Sequence, residues 1–231
     1  HRKMAWTEDE VPLGDDVTAW KSGKITFQEK DFVTNTLKMF TTQDVLVGSY
    51  YLDKLLPSFK NNDIRCMLVS FTERERVHQN AYALLNDTLG LPESDYHAFL
   101  EISTLREKAE FALEASTDTI PGLAQSIAKG VFNEGVSLFS SFVMLLNFQR
   151  YGKMRGMCKI VEWSIRDETK HVEGNAWLFR TLCNEHPFIV NDEFKKEIYS
   201  MARTIVDLED AFIDYVYQDY EIEGLTKEDV K

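Results

Sequence analysis

Residues 75–82 read ERVHQNAY. Glu75 and His78 are three apart and His78 and Tyr82 four apart, so a carboxylate, an imidazole and a phenol lie on one side of a helix, one turn apart. Phe71 and Leu85 fall on the same side, which makes it the apolar, inward-facing stripe. Burying an ionised carboxylate there without a partner costs on the order of several kcal/mol. The stretch therefore requires cations or donors from elsewhere in the chain.

The 231 residues suit one domain, 1–231, with ample length for a core. The net charge of −12 argues against a nucleic-acid or anionic-membrane surface, and an acidic, solubilising exterior accounts for it. Cys66, Cys158 and Cys183 form no Cys-x-x-Cys and are odd in number, so a reducing cytoplasmic setting is expected rather than a disulfide framework. No apolar run reads as a membrane span and no signal peptide is visible. The chain starts at His1 and ends at Lys231, just after Thr226-Lys-Glu-Asp229, a helix-starting cap; both ends read as cut.

Strand-like alternation is nearly absent, while helical periodicity is long and repeated. The pattern predicts an irregular segment over 1–24, then helices near 27–56, 63–90, 95–115, 120–150, 153–185 and 191–220. Pro57 with Asn61-Asn62, Gly90 with Pro92, Pro121, Tyr151-Gly152 and His186-Pro187 mark the breaks. Long helices joined by short loops are antiparallel neighbours, so the expected fold is an all-α bundle.

A second Glu-x-x-His stands at Glu168-Thr-Lys-His171. Chance supplies roughly half of one such match in this composition, so two, both inside long helices, carry weight. The ordinary reading of a helix histidine is a hydrogen-bonded core residue, and of a helix glutamate a solvated face. Matched pairs on core-facing stripes fit neither. Two Glu-x-x-His helices plus one carboxylate from each of two others form the ligand pattern of di-iron and di-manganese bundles.

Geometry nominates the other two acids. Around the loop at 57–62, Asp44 and Glu75 lie at equal offsets on antiparallel helices, hence at equal height, ~23 Å from the turn. Around Tyr151, Glu134 and Glu168 each lie 17 residues away. Glu134 sits in the apolar run VFNEGVSLFSSF, followed at helical spacing by Leu138 and Phe142. The candidate ligands are thus Asp44, Glu75, His78, Glu134, Glu168 and His171. Oxygen and imidazole donors without thiolate suit iron or manganese, while a structural zinc site wants cysteine and only four ligands. A buried polar network without metal is the bland alternative. For Tyr82 the bland reading is a core tyrosine with a satisfied hydroxyl; the sharper one is an oxidisable ring beside a metal centre.

These residues resemble the small, radical-generating subunit of class I ribonucleotide reductase, a family within the ferritin-like dimetal carboxylate proteins. The family has an acidic ligand about 31 residues before its first Glu-x-x-His, as Asp44 stands before Glu75. It has a radical tyrosine four after the first histidine, as Tyr82 stands. It has a lone glutamate about 34 residues before the second motif, as Glu134 stands before Glu168. Arg166-Asp167 precedes that motif here as in the family, and W6-T-E-D-E-V matches its N-terminal tryptophan with an acidic segment. The resemblance runs over roughly 6–231.

The resemblance implies a dinuclear centre between four core helices that activates oxygen or a reduced oxygen species and oxidises Tyr82 to a radical. An electron is delivered through Trp6, and radical transfer runs along Trp6, Asp167 and His78, with Asp167 orienting His78. The oxidising equivalent then passes to a large subunit that makes deoxyribonucleotides. It implies two iron ions, with manganese or a mixed manganese–iron pair as alternatives, a homodimer, a cytoplasmic location, and no contact with nucleic acid or membrane. Leu138 stands where the family often has phenylalanine, Ser164 softens the tyrosine pocket, and the family's C-terminal tail with its relay tyrosine is absent. Tyr215, Tyr217 and Tyr220, placed in a helix, read as packing, and Trp163 and Trp177 as core or interface. The alternatives are a ferritin-like di-iron oxidase or oxygenase, which would need a substrate channel, and an iron-storage protein, which would leave Trp6, Arg166-Asp167 and Tyr82 without a purpose.

Overall fold

The computed structural model describes residues 5–97, 101–114 and 116–231, without the side chains of 41 and 42. No strand occurs among them. The helices are α1 Gly14–Lys21, α2 Phe27–Ser49, α3 Asn62–Leu89, α4 Ser103–Leu113, α5 Ile120–Phe132, α6 Phe139–Arg150, α7 Arg155–Glu185, α8 Asp192–Tyr217 and the short α9 Lys227–Val230. Two π-helical turns interrupt the long rods: Tyr50–Leu55 extends α2 toward Leu56–Ser58, and Asn133–Ser137 joins α5 to α6.

Capping residues set the boundaries. Thr26 opens α2 by accepting the Glu29 amide, with Glu29 closing the box; Asn61 opens α3 by accepting the amides of Asp63 and Ile64, and Asn191 opens α8 by accepting that of Phe194. Gly90 ends α3 with φ 75°, a left-handed cap that glycine adopts without strain. The start of α7 is capped from a distance, since Asp16 accepts the amides of Gly156 at 3.0 Å and Met157 at 2.7 Å.

α2 pairs with α3, and α5 and α6 pair with α7, while α3 and α7 meet in the middle; α4 and α8 pack outside, α8 against both α4 and α5. A Cβ at Gly174 would lie 2.6 Å from the Phe71 ring, so glycine lets α3 and α7 approach at the level of the two motifs.

The core is layered. One apolar cluster holds Phe40, Tyr82, Leu85, Phe142 and Val161, and a second holds Val47, Tyr51, Phe71, Ile127 and Leu178. On all four central helices the acids lie between these sets: Asp44 between Phe40 and Val47, Glu75 and His78 between Phe71 and Tyr82, Glu134 between Ile127 and Phe142, Glu168 and His171 between Val161 and Leu178. The polar residues therefore form a sheet across the bundle, sealed by apolar packing above and below.

Four sequence expectations are corrected. The 1–24 segment is not irregular throughout, because α1 and a 3-10 turn at Glu8–Glu10 form within it; Asp15 and Asp16 in the first turn of α1 favour the helix. The 95–115 helix is a 3-10 turn at Glu93–His97 followed by α4, with 98–100 and 115 outside the described residues. α8 stops at Tyr217, so Tyr220 lies beyond the helix. Ile120–Arg150 is long and apolar enough by composition to cross a membrane, but more than half of its most apolar window is buried and it carries Glu134 into the interior, as a core helix does.

Candidate metal centre

α2 supplies Asp44, α3 supplies Glu75 and His78, the Asn133–Ser137 π turn supplies Glu134, and α7 supplies Glu168 and His171. All six are buried. They fall into two overlapping groups whose donor atoms lie within 4.8 Å of one another: Asp44, Glu75 and His78, and Glu75, Glu134, Glu168 and His171.

The two inner acids straddle both imidazoles. Glu75 places Oε2 3.6 Å from His78 Nδ1 and Oε1 2.9 Å from His171 Nδ1. Glu168 places Oε1 3.1 Å from His78 Nδ1 and Oε2 3.2 Å from His171 Nδ1. Glu134 Oε1 adds a third carboxylate oxygen at 3.7 Å from His171 Nδ1. A single ring nitrogen carries at most one proton, so it cannot satisfy three acid oxygens at once. Asp44 Oδ2, Glu75 Oε1 and Glu168 Oε2 are buried and accept no hydrogen bond. Oxygens left in that state cost free energy that a cation would recover.

The electrostatics carry the same imprint. Burial pushes the Asp44 carboxyl well above its usual range, and the charge of Glu75 adds to this. Burial lifts Glu134 to about 8 against the pull of His171. For Glu168 burial works upward, but the charges of His171 and His78 bring it down to about 2. Burial works to lower His171, yet the charge of Glu168, with that of Glu75, raises it to about 10. Four carboxylates and two imidazoles match two divalent cations in charge, and the donors are those that iron and manganese accept. The residues present fit a dinuclear centre: Asp44 and His78 on one side, Glu134, Glu168 and His171 on the other, with Glu75 common to both groups and Glu168 also facing His78.

Trp6 and Asp167 lie against the same centre. Trp6 is buried; its indole Nε1 donates to Asp167 Oδ2 at 2.9 Å, and that oxygen is 3.3 Å from His78 Nε2. Arg74 donates to Asp167 Oδ2 at 3.0 Å and to the Trp6 carbonyl at 3.0 Å. Burial would raise Asp167, but His78, then Arg74 and Trp6, hold it below the usual carboxylate range. Trp163 packs on Trp6 with ring centroids 5.2 Å apart, while Trp177 is half-exposed.

Tyr82 is buried and stacked on Phe40 at 4.4 Å, with Phe142 stacked on Phe40 at 5.4 Å beyond it. Its hydroxyl donates to Ser164 Oγ at 3.3 Å. Burial, then the charge of Asp44, holds the phenol well above its ordinary pKa.

Sequence reasoning gave three groups no part in the site, although helical spacing puts Tyr51 on the inner face beside Asp44. Arg74 gave no signal, because one arginine in ERER looks solvated. Phe40 was detectable as the residue one turn before Asp44. Tyr51 and Asn175 meet Glu134 from the far side: Tyr51 Oη donates to Glu134 Oε1 at 2.5 Å, and Asn175 Nδ2 donates to Tyr51 Oη at 2.7 Å and to Glu134 Oε2 at 3.2 Å. Asn175 stands one turn after His171, and Tyr51 two turns after Asp44, so spacing alone could have found both.

Comparison with known proteins follows the same lines. The chain is 38% identical over 97% of its length to the probable ribonucleoside-diphosphate reductase small subunit 376L of Invertebrate iridescent virus 6, and spans 68% of that relative. It is 28% identical to the ribonucleoside-diphosphate reductase subunit beta of Chlamydia pneumoniae, covering 88% of this chain and 63% of that one. Its fold matches the dimanganese(II) NrdF of Streptococcus sanguinis with a TM-score of 0.83 at 22% identity, over 94% of this chain and 77% of that one. The family described as ribonucleotide reductase, small chain, matches residues 1–231. With a ferritin-like helical bundle around two Glu-x-x-His motifs, the chain belongs to the ribonucleotide reductase small chain family.

Proposed function

We propose that this chain is the radical-generating small subunit of a class I ribonucleoside-diphosphate reductase, a single ferritin-like domain over 1–231. The observation that carries the reading is that Glu75 and Glu168 each face both imidazoles. Asp44, Glu75, His78, Glu134, Glu168 and His171 would hold two metal ions. When bound, the ions supply one-electron redox chemistry with an oxygen-derived oxidant. We read them as iron, since the acid at 44 and the tyrosine at 82 are those of tyrosyl-radical types. Manganese, named for the Streptococcus sanguinis relative, is the other outcome of the test.

The chain's own residues do the rest. Tyr82 is the phenol whose electron and phenolic proton would pass to the oxygen-derived oxidant, giving a neutral radical. Phe40 stacks on the ring, and the buried apolar cluster that also holds Phe142 and Leu138 excludes water and reductants, which lets a phenoxyl persist. Asp167 orients His78 and ties it to Trp6, giving a hydrogen-bonded route from the centre to the N-terminal segment. Arg74 keeps Asp167 ionised and pins the Trp6 backbone. Along this route the oxidising equivalent would leave for the large subunit, where a ribonucleotide is reduced. The free cysteines fit a cytoplasmic setting. Exposed Val45 and Leu52 on the α2 rod and Val69 on α3 support a homodimer through those helices.

The test is elemental analysis, then electron paramagnetic resonance after ferrous iron and air. Two ions per chain and a long-lived organic radical, lost in Tyr82→Phe with metal retained, are expected. Two ions with no radical would point to an oxidase, and no bound metal would remove the site assignment.

A further inference from the structure

We propose that Tyr51 is a second oxidisable phenol of this centre, one that passes an electron onward instead of storing a radical. The inference rests on the reading of the six-residue cluster as a metal centre and adds a residue which that reading does not use. Tyr51 is fully buried, and its ring lies edge-on to His171 and Phe71, with centroids 6.0 and 5.5 Å away. Its hydroxyl donates to Glu134 Oε1 at 2.5 Å, a short contact to an acid of the cluster.

The backbone is shaped to place it there. The π turn Tyr50–Leu55 widens α2 at this point, as π turns at functional sites do. Tyr50 then reaches the Ser126 carbonyl at 2.7 Å while Tyr51 reaches Glu134 on the facing π turn. Gln43 donates to Asn133 at 2.6 Å and ties the same two segments. A tyrosine kept only for packing would not need its hydroxyl aimed at a cluster carboxylate, with Asn175 holding both oxygens in register.

In the step, Tyr51 loses one electron to the oxygen-derived oxidant at the loaded centre, which is reduced by one electron. The phenolic O–H bond breaks and an O–H bond forms at Glu134 Oε1. A further ferrous ion, itself oxidised by one electron, then reduces the phenoxyl, and the same oxygen hands the proton back, so the phenoxyl is short-lived. Among the described residues the Tyr82 hydroxyl is hydrogen-bonded to a serine hydroxyl at 3.3 Å, a poorer proton source than a carboxyl group.

The experiment uses Tyr82→Phe, loaded with ferrous iron, mixed with air and frozen at intervals from milliseconds to seconds. A transient phenoxyl signal is expected. It is lost in Tyr82→Phe/Tyr51→Phe, and it gains fluorine splitting when Tyr51 is replaced by 3-fluorotyrosine, which keeps the hydroxyl and its hydrogen bonds. A signal without fluorine splitting, or no signal while iron is bound and dioxygen consumed, overturns the proposal and leaves the metal-centre reading standing. Failure of the wild-type chain to bind iron overturns both.

Discussion

Two buried phenols flank the same cluster in different surroundings. Tyr82 lies in the apolar cluster with Phe40 and Phe142, its ring stacked and its hydroxyl on Ser164. Tyr51 lies in the other cluster with Phe71, its hydroxyl on Glu134. Burial is nearly equal on the two sides, so burial alone does not assign their roles. The difference is in the proton. A stored radical needs a dry ring with no ready proton source, and an electron relay needs a base in contact; the fold offers one of each.

The largest effect expected is on the acids the two sides share. Glu168→Ala removes an oxygen from the surroundings of both histidines and should bring metal content from two per chain toward zero. Asp44→Ala, on the His78 side alone, should leave one ion beside His171; elemental analysis of the two variants separates a shared centre from two independent ones. Next come the apolar walls. Phe40→Ala and Phe71→Ala should each cost about 3–5 kcal/mol in denaturant unfolding, yet only Phe40→Ala should also shorten the lifetime of the Tyr82 radical. Equal lifetimes would mean that the stacked ring does not protect the phenoxyl. Tyr51→Phe strips a donor from buried Glu134, at a cost of about 1–3 kcal/mol and about 10–100-fold in affinity for the ion on that side, measurable by competition with a chelator. Smallest is Ser164→Ala, about 1 kcal/mol, with a shift in the g-values of the Tyr82 radical as its hydrogen bond disappears. An unchanged spectrum would show that the radical does not feel Ser164.

Much of the first side was legible in the sequence. Glu-x-x-His spacing, equal offsets about two loops and the phenol four residues past His78 all follow from helix geometry, which is rigid over such distances. The four central rods were predictable because their apolar stripes are long. The second side was harder. Spacing reached Glu134 and sets Tyr51 two turns past Asp44, but the π turns at 50–55 and 133–137 that bring the Tyr51 hydroxyl onto Glu134 are not foreseen by a uniform period of 3.6. Asp16 capping α7 and Arg74 bridging Asp167 and Trp6 depend on contacts between distant segments, and no local spacing encodes them. α1 was missed because proline and glycine nearby read as irregular chain, although the acids in its first turn favour a helix.

The most direct measurement is metal content and electron paramagnetic resonance on one preparation of the wild-type chain after ferrous iron and air, beside Tyr82→Phe treated identically. The account predicts two irons per chain in both and a long-lived phenoxyl in the wild type alone. A long-lived radical of equal size in Tyr82→Phe, or a wild-type chain that holds no metal, would contradict it.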